Sequence, residues 1–388
     1  MAYLFNAAGF GARAFIPIFG RVVWVTRPDD GPQEGTLRWA LAQANAGSTV
    51  IKFRIGGVLD IDLARYGRPR TQGGDRVFID GFSAPTPVEL QRGGLYVVNA
   101  SDVVIRGLKI RPGLPGNQEA AHGPGGERGL SLLADEPGMR AARVLIDHCD
   151  LGWTTDESFN VWGNYSHVTV QWCLLSPGIG YRAIEDQAGP VPGTHGILLG
   201  WPPDFPAISP NARWFTVHHC LLDNFYQRTC ETYDCQLDFC NNVVSNWALS
   251  SNLIRCRVNL RSNVFWPRVT PVFFPMPRPF GLHPDTGPMA AGSIYVADNV
   301  CTTANFAGDQ WRLLGGIHND TDQDPALRRP TPWPVSLTAE PPLAAARKVL
   351  GAAGCIQPGR GGAWSVRDPE SARAVIHALA ARGASGLF

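Results

Sequence analysis

Residues 144–157 combine most of the side chains in this sequence that could do chemistry. An apolar run opens the stretch, Asp147 and His148 follow it, and Asp156 and Glu157 close it. The run is typical of a buried strand, and the polar residues after it must leave the core at a turn, where functional groups are usually mounted. We expect Asp147 and His148 to form a structural hydrogen-bonded pair, with catalysis as the alternative. Asp156 is a candidate cation ligand, with turn capping as the alternative.

The elements that must position these residues are short strands that recur along the chain. Seven segments share one pattern of β-branched and apolar residues, and all but the last end in a polar residue. The first residues of neighbouring segments are 26 positions apart at 77 and 103 and 24 apart at 144 and 168. A unit this short cannot bury its own apolar face, so it must stack on its neighbours as in a solenoid. The segments are 77–80, 103–106, 144–147, 168–171, 215–218, 258–261 and 294–297.

Two sets of identical residues recur along the chain and support stacking. Asn242, Asn263 and Asn299 each open a similar short segment, and side chains stacked strand over strand let Asn amides bond to one another. Four cysteines follow strand segments in what we expect to be one register, either as buried fillers or as disulfides. These cysteines are Cys149, Cys173, Cys220 and Cys240.

Composition agrees with many short elements joined by turns. The 388 residues include 43 glycines and 32 prolines, and only 17% of residues are charged. The net charge of +1 gives no global field that favours nucleic acid or an anionic membrane as a partner. No apolar run approaches the roughly 20 residues of a membrane span. Residues 1–20 show no export signal, which leaves open both a removed signal and another route.

Helical patterns occur only towards the two ends. Residues 36–46 predict a helix capped by Thr36, and residues 343–353 and 369–382 predict two more, after a polar loop over 318–334. We therefore expect one domain, with an N-terminal cap over 1–49, β-coils over 50–305 and a C-terminal loop and helical wrap over 306–388.

Residues 146–157 resemble the Ile-Asp-His-Cys-Ser-x-Ser-Trp-x-Thr-Asp-Glu signature of the pectate lyases of polysaccharide lyase family 1. Further ordered matches lie along most of the chain, at 7–11, 25–26, 35–40, 105–112, 218–219, 227–228, 241–247, 349–354 and 367–368. The resemblance implies an all-β, single-stranded, right-handed parallel β-helix. It also implies β-elimination on an acidic polysaccharide, with calcium as a candidate cofactor that holds the substrate carboxylate.

The resemblance also implies the residues of a site. Calcium ligands would be Asp156 and Asn160, with Glu157 beside them, while Arg128 stands where the family has a further Asp. The family base is an arginine thirteen positions before the paired Asn of the ladder, which here is Arg228. The family's supporting cations fall on three residues that are different here: His195, Glu231 and Tyr233.

These departures leave several roles open. An arginine base is difficult because guanidinium barely loses its proton below a pKa of about 12, and Glu231 would stabilise its charged form. His195 is an alternative base or a packed side chain. Arg128 either grips a substrate carboxylate directly or forms an ordinary salt bridge to Asp156 or Glu157. Glu231 and Tyr233 are candidate substrate-binding residues. We expect all these side chains to meet in one groove.

Two functions follow from this pattern. The first is a secreted or surface-associated polysaccharide lyase that acts on a uronic-acid glycan. The alternative is a non-catalytic β-helix that binds glycan or serves as a structural spike, for example on a virion or cell surface, with self-association or assembly.

Overall fold

The chain forms three long parallel sheets, as seen in a computed structural model that describes residues 7–14, 16–17, 20–113, 127–134, 141–175, 195–201, 213–266, 278–282, 289–301, 309–316, 324–335 and 337–355. Within these residues the sheets contain ten, nine and nine strands, called sheets A, B and C. From β2 onwards, consecutive strands enter sheets A, B and C in turn, so each coil adds one strand to each sheet. This is the architecture of a parallel β-helix.

The strand bounds are as follows. Sheet A contains β1 (Arg21–Val25), β2 (Thr49–Phe53), β5 (Val77–Asp80), β8 (Val103–Arg106), β11 (Ala141–Asp147), β14 (Tyr165–Gln171), β17 (Trp214–His218), β20 (Gln236–Cys240), β23 (Arg257–Arg261) and β26 (Ile294–Ala297). Sheet B contains β3 (Gly57–Asp60), β6 (Val88–Gln91), β9 (Leu108–Arg111), β12 (Asp150–Leu151), β15 (Leu174–Leu175), β18 (Leu221–Phe225), β21 (Val243–Trp247), β24 (Val264–Trp266) and β27 (Val300–Cys301). Sheet C contains β4 (Arg70–Gln72), β7 (Leu95–Val98), β10 (Leu130–Ala134), β13 (Glu157–Gly163), β16 (His195–Trp201), β19 (Glu231–Tyr233), β22 (Ser251–Ile254), β25 (Phe280–Leu282) and β28 (Leu314–Gly316).

All seven strand segments found in the sequence lie in sheet A, which confirms their common pattern. Val144 of β11 is paired with Val103 on one side and with Val168 on the other, so like residues stack in register. Their side chains point inward and belong to one continuous apolar core. The alternation of inward and outward side chains fixes this register, because a slip of one residue would turn each apolar side chain outward.

The predicted stack of asparagines is confirmed, and cysteines take the same position in the preceding coils, so that both form one column. Asn263 Oδ1 accepts from the Asn242 amide N–H at 2.9 Å, and Asn263 Nδ2 donates to Asn299 Oδ1 at 2.9 Å. In the coils nearer the N-terminus, Cys220 N–H donates to Asn242 Oδ1 at 3.0 Å and Cys149 N–H donates to the Cys173 sulfur at 3.4 Å.

The prediction that Cys240 lies in register with Cys149, Cys173 and Cys220 is wrong. Cys240 is paired with His218 in sheet A, and Asn242 instead takes the position that follows Cys220 in the column. The reason is that Cys240 is the last residue of its strand, whereas the other three cysteines lie beyond their strands in the turn. All nine cysteines have free thiols.

Chain segments at both ends cover the outer faces of two sheets. Residues 7–14 lie on sheet A, where Gly11 N–H donates to Thr169 Oγ1 at 2.8 Å. Residues 333–335 and 337–340 cover a later part of sheet A, and the Asn241 side chain exchanges two hydrogen bonds with the backbone of Glu340 at 2.8 and 2.9 Å. Sheet B packs its outer apolar side chains against the helix Pro342–Ala352.

The helices agree with the sequence where they are described. Helix α1 (Leu37–Ala44) is capped by Thr36, whose hydroxyl accepts from Trp39 N–H, and it buries its apolar face against the first coils. A short helix α2 spans Leu63–Tyr66, and the helix on sheet B is α3 (Pro342–Ala352). Single 3-10 turns occur at Gly81–Ser83, Gln310–Leu313 and Pro325–Leu327.

The helix expected over 369–382 lies outside the described residues. None of the described helices is long and apolar enough for a membrane crossing.

Candidate active site

The candidate site lies where successive strands of sheet C begin. Glu157, His195 and Glu231 are the first residues of β13, β16 and β19, and Arg128 directly precedes Gly129 and β10. Glu157 is paired with His195, and His195 forms an isolated bridge with Gln227, the neighbour of Arg228. Since neighbouring strands lie about 4.8 Å apart, stacking brings together side chains that the chain separates widely.

Hydrogen bonds hold the turn before β13 against the preceding coil. The amide groups of Thr155 and Asp156 donate to the Glu127 carbonyl at 3.1 and 3.2 Å, and the Glu127 amide donates back to Thr155 Oγ1 at 2.8 Å. Thr154 Oγ1 donates to the Asp156 carbonyl at 2.8 Å. The backbone of Asp156 and Glu157 is therefore fixed before any ligand arrives.

Two arginines hold the two carboxylates. Arg128 Nη2 forms an ion pair with Asp156 Oδ2 at 2.7 Å, and its Nε donates to Glu157 Oε2 at 2.8 Å. Arg228 forms a close ion pair through Nη1 with Glu157 Oε1, and the same nitrogen lies 3.7 Å from Asp156 Oδ1. His195 Nδ1 lies 3.3 Å from Asp156 Oδ1 and 3.4 Å from Arg228 Nη1. Of this group Arg228 is the most exposed, with 28% of its side-chain surface accessible, and Glu157 the least, with 1%.

Burial and neighbouring charges shift the pKa values of the adjacent carboxyls in opposite directions. Burial raises the pKa of Asp156, but the hydrogen bond from His195 and the charge of Arg128 outweigh it and lower the pKa overall. Burial and the charge of Asp156 raise the pKa of Glu157 more than Arg128 and Arg228 lower it. Glu157 is therefore the carboxyl that takes a proton first as the pH falls.

The environment of Arg228 keeps its guanidinium charged. Desolvation favours the neutral form, but Glu157, Glu231 and Asp156 outweigh it and raise the pKa of Arg228. This agrees with the effect expected of Glu231. A guanidinium with a raised pKa is a poor proton acceptor and a good permanent cation.

Glu231 lies next to Arg228 and is itself held by Tyr233. Tyr233 donates its hydroxyl to Glu231 Oε1 at 2.7 Å, and Asn252 Nδ2 donates to Glu231 Oε2 at 3.0 Å. Arg228 Nε lies 3.7 Å from Glu231 Oε1. Both residues are buried, and burial together with Glu231 raises the pKa of Tyr233. Glu231 thus has a fixed position from which it orients Arg228.

Asn160 does not join this cluster. It lies within β13, paired with Ser131 and Leu198, and its side-chain amide is fully buried. Within the part of the chain that the structure describes, neither Oδ1 nor Nδ2 of Asn160 has a hydrogen-bond partner. Asp147 and His148 also lie elsewhere, in sheet A and its turn, where His148 Nδ1 contacts Asp147 Oδ1 at 2.8 Å and Gln171 donates to the same oxygen at 2.7 Å. This is the expected structural pair.

Glu127 and Arg68 belong to the surroundings of the site but were not predicted from the sequence. Arg68 Nε donates to the buried Glu127 Oε2 at 3.1 Å, and Gly94 N–H donates to the other oxygen at 3.0 Å. Arg68 lies over the Tyr96 ring at 5.3 Å. A buried glutamate next to Arg128 could have been suspected, but its partner lies 59 positions away and no local pattern points to it.

Calcium fits this cluster poorly. Asp156, Glu157 and His195 are the described residues whose ligand atoms converge, within 4.8 Å of one another. Calcium prefers six to eight oxygen ligands, whereas this group offers two carboxylates and an imidazole nitrogen. All four carboxylate oxygens already face a nitrogen of Arg128, Arg228 or His195.

Comparisons of sequence connect this architecture to pectate lyases. No family model matches the chain. A probable pectate lyase C from Aspergillus fumigatus is 31% identical over 175 residues, which are 45% of this chain and 36% of that protein. The corresponding protein of Emericella nidulans is 28% identical over 175 residues, with the same coverage. The chain thus matches just over a third of the length of these relatives.

Solved structures share the fold along nearly the whole chain. The major allergen of cedar pollen has a TM-score of 0.60 at 16% identity and covers 90% of this chain and 93% of its own. A thermostable pectate lyase has a TM-score of 0.59 at 14% identity, covering 91% and 97%. A Bacillus pectate lyase in complex with trigalacturonate has a TM-score of 0.52 at 13% identity, covering 89% and 98%. The expected resemblance and the pectate-lyase-like parallel β-helix are confirmed.

Proposed function

We propose that this protein is a polysaccharide lyase that cleaves a uronic-acid glycan by β-elimination, with pectate as the first candidate substrate. The observation that carries the proposal is the meeting of His195, Arg228 and Arg128 around two carboxylates at a partly exposed edge of sheet C. The similarity to pectate lyases over 175 residues supports the same chemistry.

The reaction requires two kinds of group. A base must remove the proton from C5 of the uronate while the bond from C4 to the glycosidic oxygen breaks. Cations must stabilise the negative charge that develops on the adjacent carboxylate. The site contains one imidazole and two guanidinium groups, and these can supply both.

His195 is the base in this proposal. Nδ1 lies 3.3 Å from Asp156 Oδ1, which can only accept, and 3.4 Å from Arg228 Nη1, which can only donate. We assign the proton to Nδ1, which satisfies the shorter contact, to the carboxylate. That tautomer leaves Nε2 with a free lone pair that can accept the C5 proton. Asp156 would then stabilise the imidazolium that forms.

Arg228 and Arg128 supply positive charge in this proposal. Arg228 is the more exposed of the two and would pair with the substrate carboxylate and the charge that builds on it. Glu231, held by Tyr233 and Asn252, is a positioning residue for Arg228. Because its substrate would be a polymer, we place the protein outside the cell or at its surface. The non-catalytic alternative is not favoured by the comparisons.

The test follows the ultraviolet absorbance of the unsaturated product during incubation with polygalacturonate and other uronides. We expect His195→Gln to lower kcat at least about 100-fold, because a positioned base contributes roughly that much. The matched control is His167→Gln at an exposed histidine, which should keep wild-type activity. Arg228→Lys should also lower kcat, since lysine cannot reproduce the planar fork. Product formation that survives His195→Gln would refute the role of His195, and no product from any uronide would refute the proposed function.

A further inference from the structure

Arg128 is held inside the carboxylate cluster from three sides. Its Nη2 forms an ion pair with Asp156 at 2.7 Å, its Nε donates to Glu157 at 2.8 Å, and its guanidinium lies 5.6 Å from the Trp162 ring centre. Only 20% of its side-chain surface is accessible. A planar guanidinium that is paired with two carboxylates and lies over an aromatic ring has little freedom to leave.

The charge of Arg128 is as fixed as its position. Desolvation disfavours the charged form, but Asp156 and Glu157 outweigh this effect and raise the pKa of Arg128. If Arg128 moved away, two adjacent carboxylates of low exposure would lose a bridging cation, and Glu157 is almost fully buried. Removing one partner from such a buried group is costly because the remaining charges stay desolvated.

We infer that Arg128 is a built-in cation that occupies the position a divalent metal would take between Asp156 and Glu157, so that the wild-type protein takes up no calcium at this cluster. The inference rests on the proposed function only in the role it gives this cation, which is to supply positive charge near the substrate carboxylate. The occupancy itself rests on the contacts of Arg128. It follows that uronide cleavage by this protein would not depend on added calcium.

The test measures calcium binding directly, by titration calorimetry and by the shift of the thermal unfolding midpoint. Calcium at concentrations up to about 10 mM, well above the range of weak protein sites, should give no saturable heat with wild-type protein. Arg128→Asp replaces the guanidinium with a third carboxylate beside Asp156 and Glu157. This variant should bind calcium with a dissociation constant at least roughly tenfold lower than that of Arg128→Gln, the neutral control.

Each outcome is informative. Saturable calcium binding by wild-type protein that Asp156→Asn abolishes would overturn the inference, and this comparison does not depend on the folding of the Arg128 variants. Equal calcium affinities for folded Arg128→Asp and Arg128→Gln would also overturn it. In the lyase assay, a chelator should leave the wild-type rate unchanged. A protein that cleaves no uronide and binds no calcium would refute the proposed function and leave the occupancy of the cluster by Arg128 intact.

Discussion

At the scale of single residues, burial and contacts across coils determine which groups carry charge. His218 shows this outside the candidate site. It is almost fully buried in sheet A, its Nδ1 lies 2.9 Å from Nδ1 of His219, and burial followed by the charge of His219 lowers the pKa of His218 to about 3. Two ring nitrogens this close can share one proton but not two, so the pair is stable only with His218 neutral.

We predict that this pair makes stability depend on pH. Between pH 6.5, the ordinary pKa of histidine, and the folded pKa of about 3, the unfolded state binds more protons than the folded state. Stability should therefore be lost as the pH falls through this window, by up to about 1.4 kcal/mol per pH unit for one histidine. Urea unfolding should show that the free energy of unfolding falls less between pH 7 and pH 5 for His218→Gln than for wild type. His167→Gln, at an exposed histidine, should behave like wild type. If the free energy of unfolding fell equally in His218→Gln and in wild type, His218 would not be the source of the pH dependence.

At the scale of elements, the turn after sheet A is stabilised by a column of side chains that bond from one coil to the next. Asn263 accepts from the Asn242 amide and donates to the Phe239 carbonyl and to Asn299, at 2.9 to 3.0 Å. The side-chain amide thus satisfies backbone groups that the turn removes from the sheet. Buried backbone groups need such partners, because an unpaired one costs about 1–3 kcal/mol.

We predict that Asn263→Ala destabilises the protein by about 3 kcal/mol, since the change leaves several buried donors and acceptors unpaired. The matched control is Asn299→Ala in the same column, where the side chain is half-buried and water can replace part of what is lost. Chemical denaturation should show about half the loss for Asn299→Ala. A loss below about 1 kcal/mol for Asn263→Ala would mean that the column is not a main source of stability.

At the scale of the whole molecule, the terminal segments cover two of the three sheets. Residues 7–14, 333–335 and 337–340 lie on sheet A, and α3 lies on sheet B through Ala346 and Val349. The candidate site lies instead where the strands of sheet C begin. The covering segments therefore stabilise the coils on faces that the site does not use.

We predict that Val349→Asp disrupts the contact of α3 with sheet B. Val349 is 1% exposed and packs in the cluster with Leu174 and Leu221, so an aspartate there would bury an unpaired charge and cost at least about 3 kcal/mol. Leu343→Asp is the control on the same helix, at a side chain that is 37% exposed. Thermal unfolding should show a large decrease for Val349→Asp and little change for Leu343→Asp. Equal midpoints would show that α3 does not contribute to stability.

The sequence by itself determined the repeating strands, the first and third helices and the asparagine column. Each depends on a local pattern or on a repeat: the strand segments share one alternation, and Thr36 caps α1 through its own side chain. The register of Cys240 could not be read in this way, because the length of each turn sets which residues face each other on neighbouring coils.

The resemblance named the candidates, but only the tertiary structure decided which of them are in contact. The resemblance implied Asn160 as a ligand, four positions after Asp156, but β13 pairs it with Ser131 and Leu198 in another buried row. The contacts instead come from other coils: the partners Arg128 and Arg228 lie 29 and 71 positions from Glu157, and His195 lies 39 positions from Asp156. Whether a charged residue is a base, a cation or a ligand depends on what stacking places within about 4 Å of it, because electrostatic interactions between buried groups depend on distance and desolvation.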